Sequence, residues 1–172
     1  MGLALLAKLA IENYIEKEKI ISTPDNLPKK FLNKKSGVFI TIKKNGNLKG
    51  CIGTYLPTKK NIAEETIQNA IVAATKDYRF EPIRKEELPE LSYIVYILEK
   101  PKLIKNIKEL NPKIFGVIVK TNNPPLKSGL LLPGLKGIDT IEKQLSDVCQ
   151  KAGINPVKEE IIIYKFIVKK FC

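Results

Sequence analysis

Gly37-Val38-Phe39-Ile40-Thr41-Ile42-Lys43-Lys44-Asn45-Gly46-Asn47-Leu48-Lys49-Gly50-Cys51-Ile52-Gly53-Thr54 is the stretch on which the reading of this chain turns. Its first seven residues are rich in β-branched side chains and predict a strand. The Asn45-Gly46 pair that follows suits the positive φ angles of a tight hairpin turn. The chain must then return as a second strand through residues 48–55. Within it Gly50 and Gly53 are poor strand residues, because they lose backbone entropy and pack no side chain. Two such positions in one strand predict a bulge, or a close approach to the backbone, and a cysteine lies between them.

Working outward, Asn61 can cap a helix and Glu64 can reach back to it in a capping box. Ile62, Thr66, Ile67, Ala70, Ile71 and Ala74 then form one face. Glu65, Gln68, Asn69 and Lys76 fall on or beside the opposite one, with Glu65 read as solvated. Pro82 ends this segment. Upstream, residues 3–17 show helical spacing of apolar side chains, and residues 22–35, with two prolines, read as an extended connection. Downstream, Glu86-Glu87-Leu88-Pro89 is an acidic turn. Residues 93–98 are apolar without alternation, which predicts a strand covered on both faces. Residues 101–112 are a lysine-rich connection with a helical turn near residues 107–110. Residues 115–119 and 129–132 read as paired strands. A last helix is expected from an Asp139 cap, with Glu142 in the box position, to Gly153. Residues 161–171 read as one long strand. No repeat or linker divides the chain, so one domain over residues 1–172 is expected.

Lysine and arginine number 30 against 18 acidic residues, a net charge of +12. Such a balance invites a nucleic-acid partner. However, Arg79 and Arg84 are the only arginines, and no lysine run exceeds a pair. Arginine is the residue whose planar fork grips phosphate and guanine, so a lysine-coated surface is favoured over a dedicated nucleic-acid face. Histidine is absent, which removes the commonest metal ligand and the commonest general base. The three cysteines, Cys51, Cys149 and Cys172, have no paired spacing and predict neither a disulfide framework nor a metal site. No apolar run is long enough to span a membrane, Lys8 and Glu12 interrupt the N-terminal apolar stretch, and Leu6 spoils a myristoylation signal. A cytoplasmic protein is expected.

The hairpin's Leu48-Lys49-Gly50-Cys51-Ile52-Gly53 resembles the Leu-Arg-Gly-Cys-Ile-Gly hallmark of the AMMECR domain family. Further segments resemble that family in the same order: Gly37-Val38-Phe39, Asn69-Ala70 with Ala73-Ala74, Asp77-x-Arg79-Phe80, Glu87-Leu88, Ser128-Gly129-Leu130-Leu131-Leu132-Pro133 and Lys151-Ala152-Gly153. The resemblance implies an α+β fold of largely antiparallel sheets flanked by helices, in two interlocked subdomains. It also implies a Memo-like protein and a radical SAM protein as partners, and it brings no settled activity. This chain lacks the three-cysteine spacing of an iron–sulfur cluster, so radical chemistry would belong to the partner. Lys49 stands where the family usually has arginine, keeping the charge and losing the bidentate fork. Residues 134–139 resemble bacterial members more than eukaryotic ones.

Cys51 admits two readings: a nucleophile in a lysine-flanked turn, or a small core residue. The functional reading adds Lys49, the Gly50 and Gly53 amides for developing negative charge, and Asn69, Asp77 and Arg79 to orient a ligand. Thr54 and Ser128, with the glycines at 129, 134 and 137, would line a rim. The structural reading has Asp77 cap the loop after the helix and Arg79 tie two subdomains together. Gly50-x-x-Gly53 and Gly134-x-x-Gly137 lack the context of a phosphate loop. Cys149 reads as core and Cys172 as exposed. Two functions follow: a ligand-binding or thiol-based catalytic cleft at Cys51, or a non-catalytic adaptor or nucleic-acid-binding module that uses a basic surface.

Overall fold

The computed structural model describes residues 1–172 and divides into two compact units, Met1–Leu98 with Lys169–Cys172, and Glu99–Val168. In chain order the elements are α1 (Leu3–Lys17), α2 (Lys29–Asn33), β1 (Val38–Lys44), β2 (Asn47–Thr54), α3 (Ile62–Thr75), β3 (Leu91–Leu98), β4 (Lys102–Leu103), β5 (Gly116–Thr121), β6 (Ser128–Leu131), α4 (Ile141–Ala152), β7 (Ile161–Phe166) and β8 (Val168–Phe171), with 3-10 turns at Lys85–Glu90 and Ile107–Glu109. The fold is α+β, with two antiparallel sheets in the orders β2-β1-β3-β8 and β4-β7-β5-β6, flanked by helices.

In the first unit the alternation of β1 decides the layers. Val38, Ile40 and Ile42 are fully buried, and they pack in one cluster with Leu3, Leu6 and Ile11 of α1 and Ala63, Ile67 and Ala70 of α3. The intervening residues Phe39 and Thr41 point to the other face, in the same cross-strand rows as Gly53 with Tyr96 and Cys51 with Ile94. The hairpin turns as expected, with Asn45 at φ 49° and Gly46 at φ 83°. Ile42 pairs with Gly50 and Lys43 pairs with Leu48, so Lys49 is the extra residue of a bulge. Both glycines of β2 also serve close approach. A side chain at Gly50 would meet the Ala73 carbonyl of α3, and one at Gly53 would meet the Phe39 ring and the Val38 carbonyl.

Several expectations are corrected. The connection over residues 22–35 contains α2, whose Phe31 is buried and packs edge-on against Phe171, ring centroids 5.6 Å apart. β3 is buried on the helix side through Tyr93, Val95 and Ile97, while Ile94 and Tyr96 on the other face are half-buried, so its cover is unequal. The strand expected over residues 161–171 breaks at Ile167, because its two halves belong to different sheets. Ile167 itself accepts a hydrogen bond from the Glu99 amide at 2.8 Å.

In the second unit α4 lays Val148 and Cys149 against Val117 and Val119 of β5, with Leu110 and Ile154 completing the cluster. Its cap is Thr140, whose hydroxyl accepts from the Lys143 amide at 3.1 Å; Asp139 lies one residue too early. Gly153 ends the helix in the left-handed conformation, φ 63°. Gln144 is buried and donates to the Phe115 carbonyl at 2.9 Å.

Candidate functional site

Cys51 sits at the middle of β2, the outermost strand of its sheet. Cys51 is half-buried and directly opposite Thr41, and its thiol lies 3.4 Å from the Thr41 hydroxyl. In this type of antiparallel pair the backbone groups of the edge residue point away from the neighbouring strand. Both are taken. The Cys51 N–H donates to Asp77 Oδ2 at 2.8 Å, and the Cys51 carbonyl accepts from Arg79 Nη2 at 2.9 Å.

The loop after α3 brings those two side chains to the strand edge. Asp77 is buried, and it accepts further bonds from Arg79 Nε at 2.9 Å and Nη2 at 2.7 Å. The Arg79 guanidinium lowers the Asp77 carboxyl to about 2 against a desolvation that opposes it, and the Cys51 amide adds to the lowering. Arg79 is the more open partner and also lies over the Phe80 ring, 5.4 Å from its centroid. Asp77 is buried among its donors, and Arg79 reaches the Cys51 carbonyl within its own unit.

A second cluster lies at the end of the same strand. Asn69 Nδ2 donates to the Val38 carbonyl at 3.0 Å and to Thr54 Oγ1 at 3.2 Å. Thr54 Oγ1 in turn donates to Glu65 Oε1 at 2.6 Å. Glu65 is fully buried, which corrects the solvated reading, and it also accepts from the Thr58 amide, the Thr58 hydroxyl and the Lys59 amide. Burial pushes its carboxyl up, but the donors at Thr54, Lys59 and Thr58 outweigh that and hold it below its ordinary range. Asn69 and Thr54 therefore join a network that shapes the strand end, and neither points an unused donor at a thiol. Glu65, read from the sequence as solvated, is instead the residue on which this network converges. Ten of the fourteen residues of α3 are buried, Glu65 among them, so the helix is covered on more than its apolar face. The Asn61 cap is made as expected, accepting from the Glu64 amide at 2.9 Å. Glu64 answers to the Asn61 side chain at 3.5 Å.

The other expected residues separate from this site. Gly50 pairs with Ile42, and its amide faces β1 rather than a ligand. Lys49, the bulge residue, turns to Glu87 at 3.4 Å, where Lys44 also arrives at 3.0 Å. Glu87 is lowered to about 2, first by the Arg84 amide and then by Lys44 and Lys49. Lys44, Lys49, Arg84, Glu81 and Glu87 border a depression of about 540 Å³ whose charges largely cancel. Lys49→Ala is expected to change stability by less than about 1 kcal/mol in urea unfolding, as for a partly exposed ion pair whose acid keeps a second lysine. Ser128 opens β6 in the second unit and is exposed. No group of three or more metal-binding side chains occurs. No helix is long and apolar enough to cross a membrane.

A two-sheet α+β protein with a cysteine clamped on an edge strand is the class that this geometry defines. The chain matches the AMMECR1 family model over residues 4–171 and belongs to that family. A Thermotoga maritima protein is 43% identical over 162 residues, 94% of this chain and 91% of that one. A Clostridium acetobutylicum protein is 41% identical over 96% of this chain, which spans about a third (34%) of that longer relative. The crystal structure of the uncharacterized protein PH0010 from Pyrococcus horikoshii superposes with a TM-score of 0.88 at 34% identity, covering 98% of this chain and 88% of that one.

Proposed function

We propose that the Cys51 edge is a ligand-binding, thiol-based reaction site, working in the cytoplasm within a modification pathway shared with a Memo-like protein and a radical SAM protein. The observation that carries this reading is the clamp: a half-buried cysteine on an edge strand, whose outward N–H and C=O are both held by the Asp77–Arg79 pair. A side chain held this firmly from its backbone is pre-organised for attack. In the step proposed, Cys51 Sγ attacks the carbonyl carbon of an acyl thioester. The new C–S bond forms as the bond to the leaving thiolate breaks, and the proton shed by Cys51 passes through solvent to that thiolate. Arg79 orients an anionic part of the ligand. With histidine absent, no imidazole base enters the step.

The test uses the intact protein with Cys149→Ala and Cys172→Ser, so that one thiol reports. Iodoacetamide is expected to modify Cys51 in the folded state, with mass spectrometry locating the adduct, and an acyl thioester is expected to leave an acyl group on the same sulfur. Protection of Cys51 until the protein unfolds would remove the thiol mechanism and leave the clamp as packing.

A further inference from the structure

Alternate residues of an edge strand turn their N–H and C=O away from the sheet. On β2 Cys51 is one such residue, and its two groups are occupied by Asp77 and Arg79. Gly53 is the next, two residues on with no bulge between them. No protein group takes its N–H or C=O, and it has no side chain to screen them. An open donor and acceptor on a strand edge is a template for one residue of an added strand.

We propose that this edge binds the C-terminal residues of a partner polypeptide, in antiparallel register and with a free carboxylate. β2 runs from Cys51 towards Gly53, so an antiparallel strand seated on Gly53 heads with its C-terminal end back towards Cys51. It cannot continue past that point, because the outward groups of Cys51 are already bonded. The added strand must therefore stop within about 7 Å of the Gly53 pairing, two residues at roughly 3.4 Å each. There it meets Arg79. Nε and Nη2 of that side chain are engaged, but Nη1 donates to no protein group, and the side chain is 39% exposed. A terminal carboxylate complements this guanidinium. A parallel strand would bring an ammonium to it instead, and the buried Asp77 is already filled with donors. Tyr78 and Leu56, large apolar side chains in the segments next to Arg79 and after Thr54, are both exposed. The inference concerns binding alone and stands whether or not Cys51 is a nucleophile.

The test probes the intact protein with a pool of synthetic N-acetylated hexapeptides bearing free C-terminal carboxylates, and with the same pool amidated. Bound peptides are read by mass spectrometry. The carboxylate pool is expected to be retained about tenfold better than the amide pool, and Arg79→Gln to abolish the difference. Methylating the amide nitrogens of a retained peptide one at a time should stop binding at one position among the last three residues. That scan leaves the protein unchanged, so it decides the matter even where Arg79→Gln loosens the strand. Retention of neither pool, equal retention of both, or a methyl scan without a sensitive position would each overturn the inference.

Discussion

Glu65→Ala is expected to lower stability by about 3 kcal/mol, read as a fall in the urea midpoint at unchanged slope. The carboxylate is fully buried and accepts four hydrogen bonds between 2.6 and 2.9 Å, from the Thr54 and Thr58 hydroxyls and the Thr58 and Lys59 amides. Hydrogen bonds to a charged group contribute more than neutral ones, and their loss leaves donors without an acceptor. Water can reach Thr58, which is exposed, so the cost stays below the sum of four such bonds. Glu65→Gln should fall between wild type and alanine, since its amide keeps the shape but puts a donor where a donor arrives. Faster amide exchange at Thr58 and Lys59 should accompany both variants. A change below about 1 kcal/mol for alanine would mean that this carboxylate does not anchor the turn between β2 and α3.

Asp77→Ala is expected to cost about 2 kcal/mol near neutral pH and to flatten the acid limb of the stability curve. The Asp77 carboxyl lies at about 2 in the folded protein against an ordinary 3.8. At about 1.4 kcal/mol per unit this difference gives somewhat over 2, reduced because Arg79 is partly open to solvent. The folded-state value is depressed, so the contribution is full above the unfolded carboxyl value and is lost as pH falls from about 4 towards 2. Glu87, also held at about 2, titrates in the same window. The variant should therefore keep part of the acid sensitivity and lose the rest. Urea unfolding of both proteins between about pH 7 and pH 3 checks this. Parallel curves displaced by a constant amount would show that Asp77 does not titrate as a paired acid.

The hairpin at the centre of the first unit was readable because everything that specifies it is local: a β-branched run, an Asn-Gly turn and two glycines around Cys51. The Asn61 cap and the Gly153 stop were readable for the same reason. Asp139 and Thr140 are both good caps in adjacent positions, and propensity does not choose between them; the helix begins where Thr140 reaches the Lys143 amide. Glu65 was not readable, because its donors at residues 54–59 converge on it only in three dimensions. The long C-terminal strand misled because alternation reports which face is buried and not which sheet the strand joins. Of the site, Cys51, Asp77 and Arg79 do come together, as do Thr54 and Asn69, whereas Lys49 is drawn away by Glu87 and Ser128 lies in the other unit.

The break at Ile167 has a consequence for how the chain is made. Residues 99–168 are an insertion between the third and fourth strands of the first sheet, entered and left at neighbouring points, since the Glu99 amide bonds the Ile167 carbonyl. As the polypeptide leaves the ribosome, the hairpin with Cys51 and its clamp is complete early, while the strand that closes its sheet arrives only after the entire insertion. Until then β3 has an unpaired flank, an edge to which other nascent chains can add. The first unit thus waits on the second for its last strand, and the tempo of its maturation is set by residues that form no part of it.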